Sequence, residues 1–332
     1  MRKAFIAGVL LCAVALSLSA CAQSEEAELD NVSLALDWFP NANHAGLFLA
    51  VENGYFENEG LEVKVYTPED PTSILQTVGT GADQFGISYQ PDLLLARQAG
   101  VPVVSVAALV QRPLNSVMTL EASDIVRPRE LVGKKVGYPG IPTDEPLLET
   151  MLEYDGASGL EDVELVNVGF NLSAALIGGR VDACVGCYWT HESIAMENQG
   201  YPVNIMRMEE WGVPIYYELV LITNEDMLRE NRDMVQRFVN AFLRGYEEAA
   251  SEPQGAVDAL VRAYPEVDQD IDRLGVDLIA PLWGIDVPFI GWQEERRWVD
   301  FTSWMKDKGL LSESVDPLKA FANEFVETST GR

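Results

Sequence analysis

The stretch Ser73–Ser88, SILQTVGTGADQFGIS, and the stretch Ser173–Gly186, SAALIGGRVDACVG, are two versions of one pattern. Each has an amphipathic run, a glycine pair or near-pair, a turn carrying an aspartate (Asp83 and Asp182), and a short apolar run. A helix stopped by glycine and followed by a buried strand accounts for that order. The first strand runs out into YQPD (Tyr89–Asp92) and the second into CYWTHE (Cys187–Glu192). In open parallel sheets ligands sit beyond the carboxyl ends of strands. Two such ends, one per domain, facing each other would frame a cleft.

Working outward, the same alternation fills the chain. Further strands are predicted at VSLALDW (32–38), LEVKVYT (61–67), PVVSVAAL (102–109), KKVGYP (134–139), VELVNV (163–168), VNIMRM (203–208) and ELVLIT (218–223), with amphipathic stretches between them. This predicts an α/β protein with mostly parallel sheets. After Thr223 the pattern turns almost purely helical. A chain of 332 residues has room for two core-forming domains. QRPLNSVMTL, with Asn115 and Ser116, and WGVPIYYELVLIT, with Tyr216 and Tyr217, are the expected crossings between them.

The N-terminus carries Arg2 and Lys3, an apolar run from Ala4 to Leu18, and small residues ending at Cys21. These are the parts of an export signal, and the cysteine after the small residues resembles a bacterial lipobox. Residues 1–20 are therefore expected to be a lipoprotein signal and 21–30 a tether. Cys21 is the expected lipidation site, so that acyl chains hold an exported protein at the membrane surface. With 23 basic and 52 acidic residues the net charge is −29. Such a surface repels nucleic acid and anionic headgroups, which excludes nucleic acid as a partner.

The segment CVGCYWTHE (184–192) admits three readings. As a metal site it offers Cys184, Cys187 and His191, but the fourth ligand of a closed zinc site is missing, so no metal is expected. As a catalytic site it lacks support, since no nucleophile elbow, metalloprotease helix or P-loop occurs. As a pocket wall it makes sense: Tyr188 and Trp189 offer flat apolar faces for a planar ring. Glu192 would then accept hydrogen bonds from an amine, or it caps the following helix; both readings stand. A disulfide between Cys184 and Cys187 would close only a tight local loop. At the start of the first domain, Trp38 ends a strand and Asn41, Asn43 and His44 follow in an amide-rich turn. That arrangement suits a cleft, although the asparagines also suit turns and helix caps.

Four stretches together carry a resemblance: LDWFPNANHAGLFLAVENGYFENEGLEV (36–63), SILQTVGTGADQFGISYQPDLLLARQAGVPVVSVAAL (73–109), LVGKKVGYPG (131–140) and GCYWTHE (186–192). The chain resembles the substrate-binding lipoproteins of ABC importers, and within them the thiamine-pyrimidine, formylaminopyrimidine-binding branch. The resemblance implies a type II periplasmic-binding-protein fold, two α/β lobes with a hinge and an interlobe cleft. It implies lobe 1 from 31–116 plus 221–332, and lobe 2 from 117–220. The implied ligand is N-formyl-4-amino-5-aminomethyl-2-methylpyrimidine or a close precursor of thiamine. The implied partners are the permease and ATPase subunits of the importer, and no cofactor is implied. Ligand contacts are then expected at Trp38, Asn41, His44, Tyr89, Asn115, Tyr188, Trp189, Glu192 and Tyr216. Trp38 with Tyr188 or Trp189 would stack on the ring, and Glu192 would read its aminopyrimidine edge. Riboflavin, a sulfonate or nitrate are alternative ligands, and a thiol- or metal-dependent extracytoplasmic enzyme is a weaker alternative. The same superfamily contains a fungal pyrimidine-phosphate synthase that consumes a lysine-bound pyridoxal phosphate and a histidine. Ser88 takes the place of that lysine, Asp92 that of the histidine, and Val213–Tyr217 that of a cysteine cluster. Without an amine nucleophile the resemblance implies a binding protein rather than an enzyme.

Overall fold

The computed structural model describes residues 29–169 and 171–329. The signal segment and Cys21 lie outside them. The strands are β1 (Asp30–Ala35), β2 (Leu61–Tyr66), β3 (Phe85–Ser88), β4 (Val103–Val110), β5 (Asn115–Leu120), β6 (Lys135–Tyr138), β7 (Glu164–Asn167), β8 (Ala183–Tyr188), β9 (Val203–Arg207) and β10 (Leu219–Asn224). They form two five-stranded sheets, ordered β2-β1-β3-β10-β4 and β7-β6-β8-β5-β9. The two orders are copies of one another, with β3 and β8, the strands of the repeated pattern, in matching central places. Each sheet belongs to one α/β lobe.

One strand in each sheet departs from the expected parallel arrangement. β10 runs antiparallel to β3 and β4, and β5 runs antiparallel to β8 and β9. These are the two strands that follow a crossing: the chain leaves the first sheet after β4, enters the second as β5, and returns as β10. The sequence marks β5 only as a crossing segment, because Asn115 and Ser116 interrupt its apolar pattern. Their polar groups are satisfied by the fold: Ser116 Oγ donates to the Cys187 carbonyl at 2.7 Å.

The cores follow from strand alternation. Along β10, Leu219 and Leu221 face one apolar layer while Val220 and Ile222 face the next. A strand buried on both faces reads as a continuous apolar run. The first layer is completed by the helices Ala45–Glu52, Arg232–Ser251, Pro253–Ala263 and Gln269–Trp283. Gly46 and Gly245 permit the closest approach there, since a Cβ on Gly245 would lie 2.2 Å from the Gly46 carbonyl oxygen. The second layer also takes in Trp298, Phe301 and Met305 of the helix Glu295–Asp307, and it continues into the second lobe through Val136, Leu148 and Met206.

Candidate functional site

The cleft between the lobes is built from the carboxyl ends of strands. Asp37 and Trp38 follow β1, Tyr89 follows β3, Pro139 and Ile141 follow β6, and Gly186 and Tyr188 close β8. Helix starts add carboxylates: Asp92 in the first turn of Gln90–Gln98, Asp144 at the first residue of Asp144–Tyr154, and Glu192 at the first residue of Glu192–Asn198. Asn115, Tyr216 and Glu218 come from the crossings. The space they enclose is about 620 Å³, counted to the open mouth. Its lining holds five carboxylates and, among the described residues, no lysine or arginine.

Gly186 decides which side chains enter. β5 pairs Ser116 with Cys187 but Val117 with Val185, so Gly186 is an extra residue in β8. Its φ of +92° is a conformation that favours glycine. The bulge resets the alternation, and Cys184 and Cys187 both fall in the apolar cluster with Met118 and Leu172, joined as a disulfide. Tyr188 is thereby turned into the cleft and Trp189 away from it. A Cβ on Gly186 would meet Pro139 Cδ at 2.8 Å and Asp144 Oδ2 at 3.3 Å.

Of the nine expected contacts, Trp38, Asn41, Tyr89, Asn115, Tyr188, Glu192 and Tyr216 line the cleft. Two expectations are corrected. Trp189 donates its indole N–H to the Pro113 carbonyl at 3.2 Å and packs under the Arg207 guanidinium, 4.4 Å from the ring centroid. His44 is fully buried behind Asp37, with Nε2 3.0 Å from Asp37 Oδ1. The Asn41 N–H donates to His44 Nδ1 at 3.3 Å, so the hydrogen sits on Nε2 and points at the carboxylate. The Tyr89 hydroxyl donates to the other Asp37 oxygen at 3.0 Å. His44 therefore orients a cleft carboxylate and is not itself part of the lining.

Several lining groups are already committed. Asn41 accepts from the Asn43 N–H at 2.9 Å and donates to the Phe39 carbonyl at 3.0 Å. Glu192 accepts from the Tyr188 N–H at 2.8 Å, and its other oxygen lies 3.1 Å from His191 Nδ1. It caps the turn while lining the cleft. His191 is pushed down by burial but raised on balance by Glu192 beside it.

Four carboxylates of the site escaped the sequence reading as ligands: Asp37, Asp92, Asp144 and Glu218. Burial pushes Asp144 up to about 8, against the opposing hydrogen bond from Asn115 Nδ2, which reaches Oδ1 at 2.7 Å. Burial likewise lifts Asp92 to about 7, with Thr143 Oγ1 donating to it at 3.3 Å. Glu218 is raised by burial although it accepts from the Leu114 and Asn115 N–H groups. Asp144 Oδ2 is buried and has no partner among the described residues. A buried acceptor left unpaired is costly, and here it lies in the wall of a cavity. Chemically, the cleft suits a planar ligand rich in N–H donors or positive charge.

The chain matches the family described as NMT1/THI5 like over residues 41–256. It is similar to the formylaminopyrimidine-binding protein of Halalkalibacterium halodurans, at 39% identity over 305 residues covering 90% of this chain and 92% of that one. It is also similar to the 4-amino-5-hydroxymethyl-2-methylpyrimidine phosphate synthase of Aspergillus parasiticus, at 26% identity over 307 residues, 90% of this chain and 87% of that one. Among solved structures, the periplasmic aliphatic sulphonate binding protein of Escherichia coli superposes with a TM-score of 0.70 at 15% identity, covering 89% of this chain and 92% of that one. At that identity the likeness speaks for the shared two-lobed periplasmic binding fold alone.

Proposed function

The chain belongs to the NMT1/THI5-like family, and from that premise we propose that it is the solute-binding component of an ABC importer for a thiamine pyrimidine precursor. The ligand is N-formyl-4-amino-5-aminomethyl-2-methylpyrimidine or a close relative. The observation that carries this reading is the cleft lining: five carboxylates, stacking aromatics and, among the described residues, no lysine or arginine. An aminopyrimidine presents flat faces and N–H donors, which match tyrosine, tryptophan and carboxylates. Trp38 and Tyr188 cover the ring, Glu192 reads its amine edge, and Asp144 Oδ2 takes a further N–H. Sulfonate and nitrate find no lysine or arginine in the lining to bind, and the ionised carboxylates repel them. Catalysis by the synthase route is not proposed, because Ser88 and Asp92 supply no amine nucleophile.

Lobe closure about the two crossings would present a loaded form that the permease distinguishes from the empty one. Lipidated Cys21 would hold the protein beside that permease and its ATPase. A thermal-shift panel tests the ligand assignment. At 100 times its Kd a ligand stabilises by about 2.7 kcal/mol, so the formylaminopyrimidine should raise the Tm by several degrees while taurine and nitrate leave it unchanged. A shift from an anion and none from the pyrimidine would overturn the assignment.

A further inference from the structure

The carboxylate-lined cavity does not end at Trp38 and Tyr89. Both residues, with Asp92 and Ile141, also line a second space that opens from it between the lobes. This annex is the roomier of the two, about 1050 Å³ against about 620 Å³, each counted to the open mouth. Its walls differ in kind. The first lobe contributes Ile74 and Leu75 from the helix Ile74–Gly79 and Leu95 and Ala96 from the helix Gln90–Gln98. The second contributes the segment Pro139-Gly140-Ile141-Pro142. Beyond the residues shared with the polar end, the annex presents no charged side chain.

A mostly apolar space, with Thr72, Gln76 and Ser88 as its own polar side chains, continuous with a carboxylate-rich one is what a two-part ligand needs. A pyrimidine carrying only a formyl group belongs in the carboxylate end and leaves the annex to water. We propose that the annex is a subsite for an apolar arm on the pyrimidine, so that the protein accepts N-acyl aminomethylpyrimidines with acyl groups larger than formyl. This rests on the pyrimidine reading above and widens its substrate class.

The test is a calorimetric series on the protein with formyl, acetyl, butanoyl and hexanoyl amides of the same aminomethylpyrimidine, for wild type, Leu75→Trp and Leu95→Trp. Leu75 and Leu95 border the annex and not the carboxylate end. In wild type, each added methylene should tighten binding by about two- to fourfold, the range for partial to full burial. The tryptophan variants should bind the formyl compound within about twofold of wild type and lose the gain for hexanoyl. Flat or falling affinity with chain length, while the formyl compound binds, would overturn the subsite. If the formyl compound itself does not bind, the pyrimidine reading fails. The annex is then judged by the neutral probe N-phenyl-1-naphthylamine: fluorescence gained with wild type and lost in both variants supports an apolar-arm site, and equal signals overturn it.

Discussion

Tyr188 of the second lobe and Glu218 of the returning crossing are joined at the base of the cleft, the Tyr188 hydroxyl donating to Glu218 Oε1 at 2.9 Å. The other Glu218 oxygen accepts from the backbone N–H groups of Leu114 (2.7 Å) and Asn115 (3.1 Å), on the outgoing crossing. One carboxylate thus ties both connections between the lobes to a ring that lines the cleft. In Glu218→Gln the amide can accept on one side only and leaves the donors on the other side without an acceptor. It should lower stability by about 1–3 kcal/mol, the cost of stranding buried donors, read as a lower urea midpoint. An unchanged midpoint would mean that the crossings are held by their strands alone.

The raised carboxylates make the empty protein sensitive to alkali. Asp144 rises from its ordinary 3.8 to about 8 and Asp92 from 3.8 to about 7. Between those values the folded chain holds protons that the unfolded chain has released, so stability falls as pH rises from about 4 and levels above about 8. Each group contributes a slope of up to about 1.4 kcal/mol per pH unit. His191 and Asp272 are raised too and act in the same direction. The ligand-free Tm should therefore drop by several degrees between pH 5 and pH 9, and Asp144→Asn should flatten the drop. A Tm that rises across this range would contradict the burial of these groups.

Ligand binding should show the reverse trend. A donor-bearing pyrimidine needs Asp144 without its proton, so affinity should strengthen as pH rises from 6 to 8, with protons released to the buffer. Calorimetry in two buffers of different ionisation enthalpy measures that release directly. Equal heats in both buffers would remove Asp144 from the site.

Gly186→Ala tests the bulge. A side chain at φ +92° is strained, and its Cβ would press on Pro139 at 2.8 Å. A loss of about 1–3 kcal/mol is expected, together with weaker ligand binding because Asp144 Oδ2 lies 3.3 Å from the same atom. Wild-type melting in this variant would show that the strand relaxes without cost.

Much of the architecture was legible because it repeats: the Asp83 and Asp182 patterns announced β3 and β8, and their run-outs announced the cleft. Trp38, Tyr89 and Tyr188 were legible as aromatic residues at strand ends. The side of Tyr188–Trp189 that faces inward was not legible. Simple alternation from Cys184 sends Tyr188 to the wrong face, and only the pairing of β5 with β8 reveals the extra residue at Gly186. His44 looked like a ligand by type, yet the turn Asn41–His44 commits its ring to Asp37. Asp144 and Glu218 drew no reading, and Asp92 only a place in the comparison with the synthase, because nothing local to a helix start or a strand edge says that the facing lobe will bury an acid.

The most direct measurement is a calorimetric titration of the chain from Ala22 onward with the formylaminopyrimidine, beside Trp38→Ala. One-to-one binding to the wild type is expected, absent for riboflavin and weakened at least tenfold when the Trp38 ring is removed, a loss of about 1.4 kcal/mol or more. No binding of the pyrimidine, or tight binding of riboflavin in its place, would contradict the pyrimidine reading.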